Sequence, residues 1–162
     1  SEFDYVGITY LNRAVAGKAT NWGIEAVEQA FRMEPPDLFV LAFGMNDATG
    51  GMDRFVFRDN IRIICDKVLS YNPGCEILLV STTLPNELAV RFNKDQGTHE
   101  ELLAALADEY GEKADIVRMT SMHRYLLSRK RYYDMTGNNI NHPNDFLACI
   151  YAQVVLSHIL EN

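Results

Sequence analysis

Short apolar runs alternate along this chain with longer amphipathic segments. Tyr5 to Leu11, Asp37 to Phe43, Glu76 to Ser81 and Asp115 to Met119 have the length and composition of strands. A period near 3.6 predicts helices over Asn21 to Met33, Asp53 to Tyr71, His99 to Tyr110, Met122 to Ser128 and Pro143 to Leu160. In the first of these Ile24, Val27, Ala30 and Phe31 share a face; in the second Phe57, Ile61, Ile64, Val68 and Leu69 do. Pro35-Pro36 stops the first helix, Asn72-Pro73-Gly74 reads as a turn, and Pro143 stands where a first helical turn tolerates proline. Strands alternating with helices predict an α/β fold, a three-layer α/β/α sandwich around a parallel sheet. Ligands of such sheets lie beyond the carboxyl ends of the strands, so the loops that follow strands are where chemistry is expected.

Length and charge narrow the picture. The 162 residues suit one domain spanning 1–162, with no repeat and no linker. Fifteen basic and 22 acidic residues leave a net charge of −7, which disfavours nucleic acid as a partner. The basic run Arg129-Lys130-Arg131 reads as a solvated patch. No apolar run approaches the roughly 18 residues that a membrane span needs. Cys65, Cys75 and Cys149 lack ligand spacing and read as buried free thiols, which with no visible signal peptide slightly favours the cytoplasm. His99, His123, His142 and His158 have no short metal-ligand spacing, so neither metal nor cofactor is expected. No strand is followed by G-x-G-x-x-G or a P-loop, which argues against a nucleotide-binding protein of the same architecture.

Three loop motifs remain. Asn12-Arg13-Ala14-Val15-Ala16-Gly17 follows the first predicted strand, Gly44-Met45-Asn46-Asp47 the second, and Asn138-Asn139-Ile140-Asn141-His142-Pro143 opens the last helix. Taken singly, Gly17 is a turn glycine, Asn46-Asp47 a helix cap and His142 a surface residue. In this order and spacing they resemble blocks II, III and V of the SGNH (GDSL-type) hydrolases: a loop glycine, a G-x-N-D loop and a D-x-x-H-P box. His142-Pro143-Asn144-Asp145-Phe146 with Tyr151-Ala152-Gln153 is also similar to the last helix of bacterial GDSL-type esterases.

The resemblance implies a flavodoxin-like SGNH hydrolase fold and a carboxylic-ester hydrolase working through a serine acyl-enzyme. It implies that the backbone N–H of Gly17 and the side-chain amide of Asn46 donate to the oxyanion, where each such donor is worth about 3 kcal/mol. It implies His142 as general base and Asp47 as a structural brace. Small O-acyl esters such as acetylated carbohydrates are the substrates it suggests, with lysophospholipid and thioester cleavage as alternatives; Trp22, Tyr132 and Tyr133 offer rings for a sugar or for packing. Oligomeric state stays open.

Two departures qualify it. The serine box G-D-S is absent from the sixteen residues before Gly17, where Ser1 is the only serine. The expectation is an N-terminally truncated chain missing its first strand, and inactive alone; the alternative is a serine-less relative that binds without catalysing. Ser81 occupies no catalytic position of the family. Where the family's triad aspartate stands, this chain has Asn139. Asn139, a backbone carbonyl, Asp134 or Asp145 is then left to orient His142.

Overall fold

In the computed structural model, residues 7–92 and 95–160 are described. Three parallel strands, β1 (Leu38–Leu41), β2 (Glu76–Val80) and β3 (Ala114–Val117), form one sheet in the order β1-β2-β3. Leu38 pairs with Glu76 and Leu41 with Leu79; Ile77 pairs with Ala114 and Val80 with Val117. Six helices accompany them: α1 (Thr20–Phe31), α2 (Met45–Gly50), α3 (Arg54–Tyr71), α4 (His99–Tyr110), α5 (Met119–Leu127) and α6 (Asp145–Leu160).

Side chains alternate across a strand, so the pairing assigns each residue to a face. Leu41, Ile77, Leu79 and Ile116 point into the larger core with Val27 and Phe31 of α1, Phe57, Ile61, Ile64 and Val68 of α3, and Leu103 and Leu106 of α4. Leu78, Val80 and Val117 point the other way, against Met119 and Met122 of α5 and Tyr151, Val154 and Val155 of α6. Helices thus cover both faces, as the alternating pattern predicts.

The second cover is partial. Leu38 and Val40 lie on the face of Leu78 and Val80 yet are 40% and 43% exposed. Along α6, only Leu147 is buried although the helix is apolar all round. Among the described residues β1 pairs with β2 alone, so its outer edge carries unpaired N–H and C=O groups.

Four expectations change. Of the predicted strand Tyr5 to Leu11, Tyr5 and Val6 lie outside the described residues; 7–11 are exposed and form no strand, because no neighbouring strand offers them a ladder. The loop Gly44 to Met52 contains α2, a single helical unit held by tertiary bonds. The last helix begins at Asp145, not at Pro143, which pairs instead in an antiparallel bridge with Thr136. Cys65 and Cys75 are buried free thiols, but Cys149 is exposed on α6.

Candidate functional site

The loops that follow β1 and β2 meet at the carboxyl ends of those strands. The chain leaving β1 turns at Gly44, whose φ of +125° belongs to glycine. A Cβ there would lie 2.9 Å from His99 Nδ1 and 3.2 Å from the Thr82 methyl, so the loop after β1 sits directly on the loop after β2.

Asp47, 1% exposed, ties this loop to the start of α1. Its Oδ1 accepts from Thr20 N at 2.8 Å and Thr20 Oγ1 at 2.6 Å, and its Oδ2 accepts from Gly44 N at 3.1 Å. Asn46 is exposed and donates Nδ2–H to Lys18 O at 3.0 Å, beside Gly17. An amide nitrogen carries two hydrogens, so one remains for another acceptor. Gly17 is exposed with φ +75°, and the space around its Cα is open. Gly17 and Asn46 are therefore on adjoining loops.

The third motif is tied to the loop after β2. Asn86, in the loop after β2, donates its backbone N–H to Ile140 O at 2.8 Å and its side-chain Nδ2–H to Asn139 O at 2.9 Å. Asn138 Oδ1 accepts three amides, from Ile140, Asn141 and His142, at 2.9–3.0 Å. Gly137 N–H donates to His142 O at 2.9 Å. The backbone of His142 is thus held while its side chain is exposed.

No hydrogen bond joins the His142 ring to Asn139, Asp134 or Asp145 among the described residues. Asn139 holds a left-handed φ of +56°, and its side-chain oxygen faces Asn86 Nδ2 at 3.4 Å. Asp134 is exposed and pairs with Arg131 at 3.0 Å, whose hydrogen bond keeps its carboxyl below the usual carboxylate range. Of the aromatic candidates, Tyr132 turns its hydroxyl inward to Leu84 O and Ile140 O, whereas Tyr133 stays exposed beneath Arg131 at 4.1 Å and Trp22 lies 5.7 Å from the Lys18 ammonium.

Sequence reasoning passed over the buried polar groups under this rim. Glu100, 2% exposed, accepts from the Ser81 hydroxyl at 2.6 Å, from the Ser121 hydroxyl and from Ser121 N at 3.1 Å. Burial raises its pKa, but the bonds from Ser121 and Ser81 outweigh that and hold the carboxyl below its ordinary value. His99 stacks on Phe57 at 4.1 Å between ring centres, and burial lowers its pKa. His123 accepts Leu84 N–H at Nδ1, 2.9 Å, and burial depresses it to about 4. Both rings are therefore neutral near pH 7. The polar loop from Pro85 to Phe92 after β2 is the sequence feature that could have pointed to this layer.

The profile of the GDSL-like Lipase/Acylhydrolase family matches residues 4–146. No curated protein matches the sequence. Among solved structures, one described as a platelet activating factor from Streptococcus pneumonia superposes with a TM-score of 0.78 at 19% identity, covering 91% of this chain and 71% of its own. A two-domain esterase active on acetylated mannans, crystallised with mannopentaose, superposes with a TM-score of 0.69 at 19% identity, covering 94% of this chain and 39% of its own. A lipase/acylhydrolase from Enterococcus faecalis gives a TM-score of 0.67 at 16% identity, covering 88% of this chain and 71% of its own. At such identities these likenesses concern the fold.

Proposed function

The chain belongs to the GDSL-like lipase/acylhydrolase family, and from that premise we propose a carboxylic-ester hydrolase that acts through a serine acyl-enzyme on small O-acyl esters, acetylated carbohydrates foremost. His142 is the general base, taking the serine proton and returning it to the leaving alcohol. Gly17 N–H and the uncommitted Asn46 N–H donate to the oxygen that becomes negative in the tetrahedral intermediate. Asn139 acts on the ring only through the conformation it imposes on its own loop. The whole of 1–162 is one domain of this fold.

The observation that carries the reading is the double anchorage of Asp47 on Thr20 and Gly44, with Asn46 bonded to Lys18. It couples the two donor loops rigidly, which an oxyanion site requires because its donors must be preorganised. The acetyl-carbohydrate preference draws support from the mannan esterase that shares the fold at 19% identity.

The nucleophile is not among the described serines. Ser81 is 1% exposed and donates to Glu100, and Ser121 does the same. Ser70, Ser128 and Ser157 each bond a carbonyl of their own helix or its end. This favours a second reading of the isolated 162 residues, a fold that binds without turnover.

The full-length gene product is expected to hydrolyse p-nitrophenyl acetate and acetylated manno-oligosaccharides and to react with a fluorophosphonate probe. His142→Ala should abolish turnover, and the 162-residue chain should be silent in all three assays. A folded full-length protein inert toward esters and probe would sink the esterase reading. Acylation of the 162-residue chain would show that one of its own serines is the nucleophile.

A further inference from the structure

Among the described residues no carboxylate bonds the His142 imidazole, yet the backbone of its segment is gripped from the layer below. Asn86 is buried and meets the segment twice, through N to Ile140 O at 2.8 Å and through Nδ2 to Asn139 O at 2.9 Å. The Tyr132 hydroxyl lies between Ile140 O at 2.8 Å and Leu84 O at 2.9 Å, with one proton to share between them. Ile140 O thus receives two buried or half-buried groups at once, two residues from the imidazole.

The support below is itself pinned at successive residues. Thr120 Oγ1 donates to Thr82 O at 2.6 Å, Gln96 Nε2 donates to Thr83 O at 2.6 Å, and Leu84 N donates to His123 Nδ1 at 2.9 Å. The Gln96 bond is buried and the other two are part-buried, with Thr120 and His123 themselves shut off from solvent, so breaking one leaves a buried side-chain group short of its partner. The left-handed Asn139 is held by the side chain of Asn86, the residue whose backbone N–H fixes Ile140.

We infer that Asn86 and Tyr132 are positioning residues for His142: they fix the backbone at 139–140 and so set the place from which the imidazole meets the substrate. The inference rests on His142 being the general base. A carboxylate would restrain the ring directly; here restraint enters through the main chain, and Asn138, which gathers the amides of residues 140–142, passes it on.

The test uses the full-length protein with Asn86→Ala, Asn86→Asp and Tyr132→Phe. Asn86→Ala and Tyr132→Phe should lower kcat on p-nitrophenyl acetate on the order of tenfold, with KM changed less than about twofold, since misplacing a catalytic group by a fraction of an ångström costs rate. Asn86→Asp keeps the shape but turns an acceptor on Asn139 O, and should lose at least as much. Amide hydrogen exchange of residues 140–142 should speed up in all three while α3 stays protected. Unchanged kcat, or a loss of rate matched by equal loosening of α3, would reduce both residues to general stability and overturn the inference. Should the wild type hydrolyse no ester, the base assignment falls, and local exchange alone then decides whether the grip on residues 139–140 exists.

Discussion

Two carboxylates at this rim leave water by different means. Asp47 accepts from a backbone N–H and a hydroxyl of Thr20 and from Gly44 N; Glu100 is met by two serine hydroxyls and helix-start amides, with no cation paired to it among the described residues. Asp47 as a brace was an expectation that the family resemblance supplied. Its partner Thr20, 27 residues away, was not, since only folding brings it near. The buried histidines carry a pH prediction. His123 titrates at its ordinary 6.5 when unfolded and at about 4 when folded, so the native state excludes its proton. That stability is complete above pH 6.5 and is lost as pH falls toward 4, on the order of 3 kcal/mol from this ring. His99 shifts in the same direction and adds to it. Urea midpoints measured from pH 7 to 4 should fall, and His123→Gln, which keeps an acceptor for Leu84 N–H, should flatten the slope. An unaltered slope in that variant would refute the assignment.

Among the elements, α3 and α4 were readable nearly to the residue because their apolar stripes face one sheet. Asp53 starts α3 by accepting Phe55 N–H at 2.8 Å and Val56 N–H at 3.2 Å. Asp53→Ala should therefore cost about 1 kcal/mol in chemical denaturation, with Asp53→Asn recovering most of it; an Ala variant as stable as the parent would mean the cap is idle. Helix α2 was missed for the opposite reason. Its six residues, Met45–Gly50, have too little periodicity to announce a helix; Thr20, bonded to Asp47, and Lys18 O, bonded to Asn46, hold it from outside. Pro143 misled because a proline marks a helix start only by permitting one. The bridge to Thr136 claimed it, and Asn144 took over, accepting Leu147 N–H at 3.2 Å.

Across the whole molecule, apolar surface is unevenly covered. The outer edge of β1, with Leu38 and Val40 exposed, adjoins a side of the sheet that α6 covers only over β2 and β3. Leu156, Ile159 and Leu160 of α6 are 50%, 40% and 73% exposed. An open strand edge beside apolar surface is a template for pairing. The 162-residue chain should accordingly bind a hydrophobic dye and associate with rising concentration in sedimentation velocity. Val40→Lys should weaken the association; a chain that stays monomeric and binds no dye would contradict this.

Periodicity alone determined the layers, since strand and helix repeats are local properties of the chain, and the loop motifs alone pointed to the family. Tertiary structure decided what local order cannot: that residues 7–11 form no strand, that Asn139 faces Asn86 and not His142, and that neutral histidines and a hydrogen-bonded glutamate underlie the rim. Each of these depends on a partner distant in sequence. Burial costs a polar group its hydration, and both the elements that bury it and the partners that offset the cost come from distant parts of the chain, so no reading of neighbours along the chain can supply them.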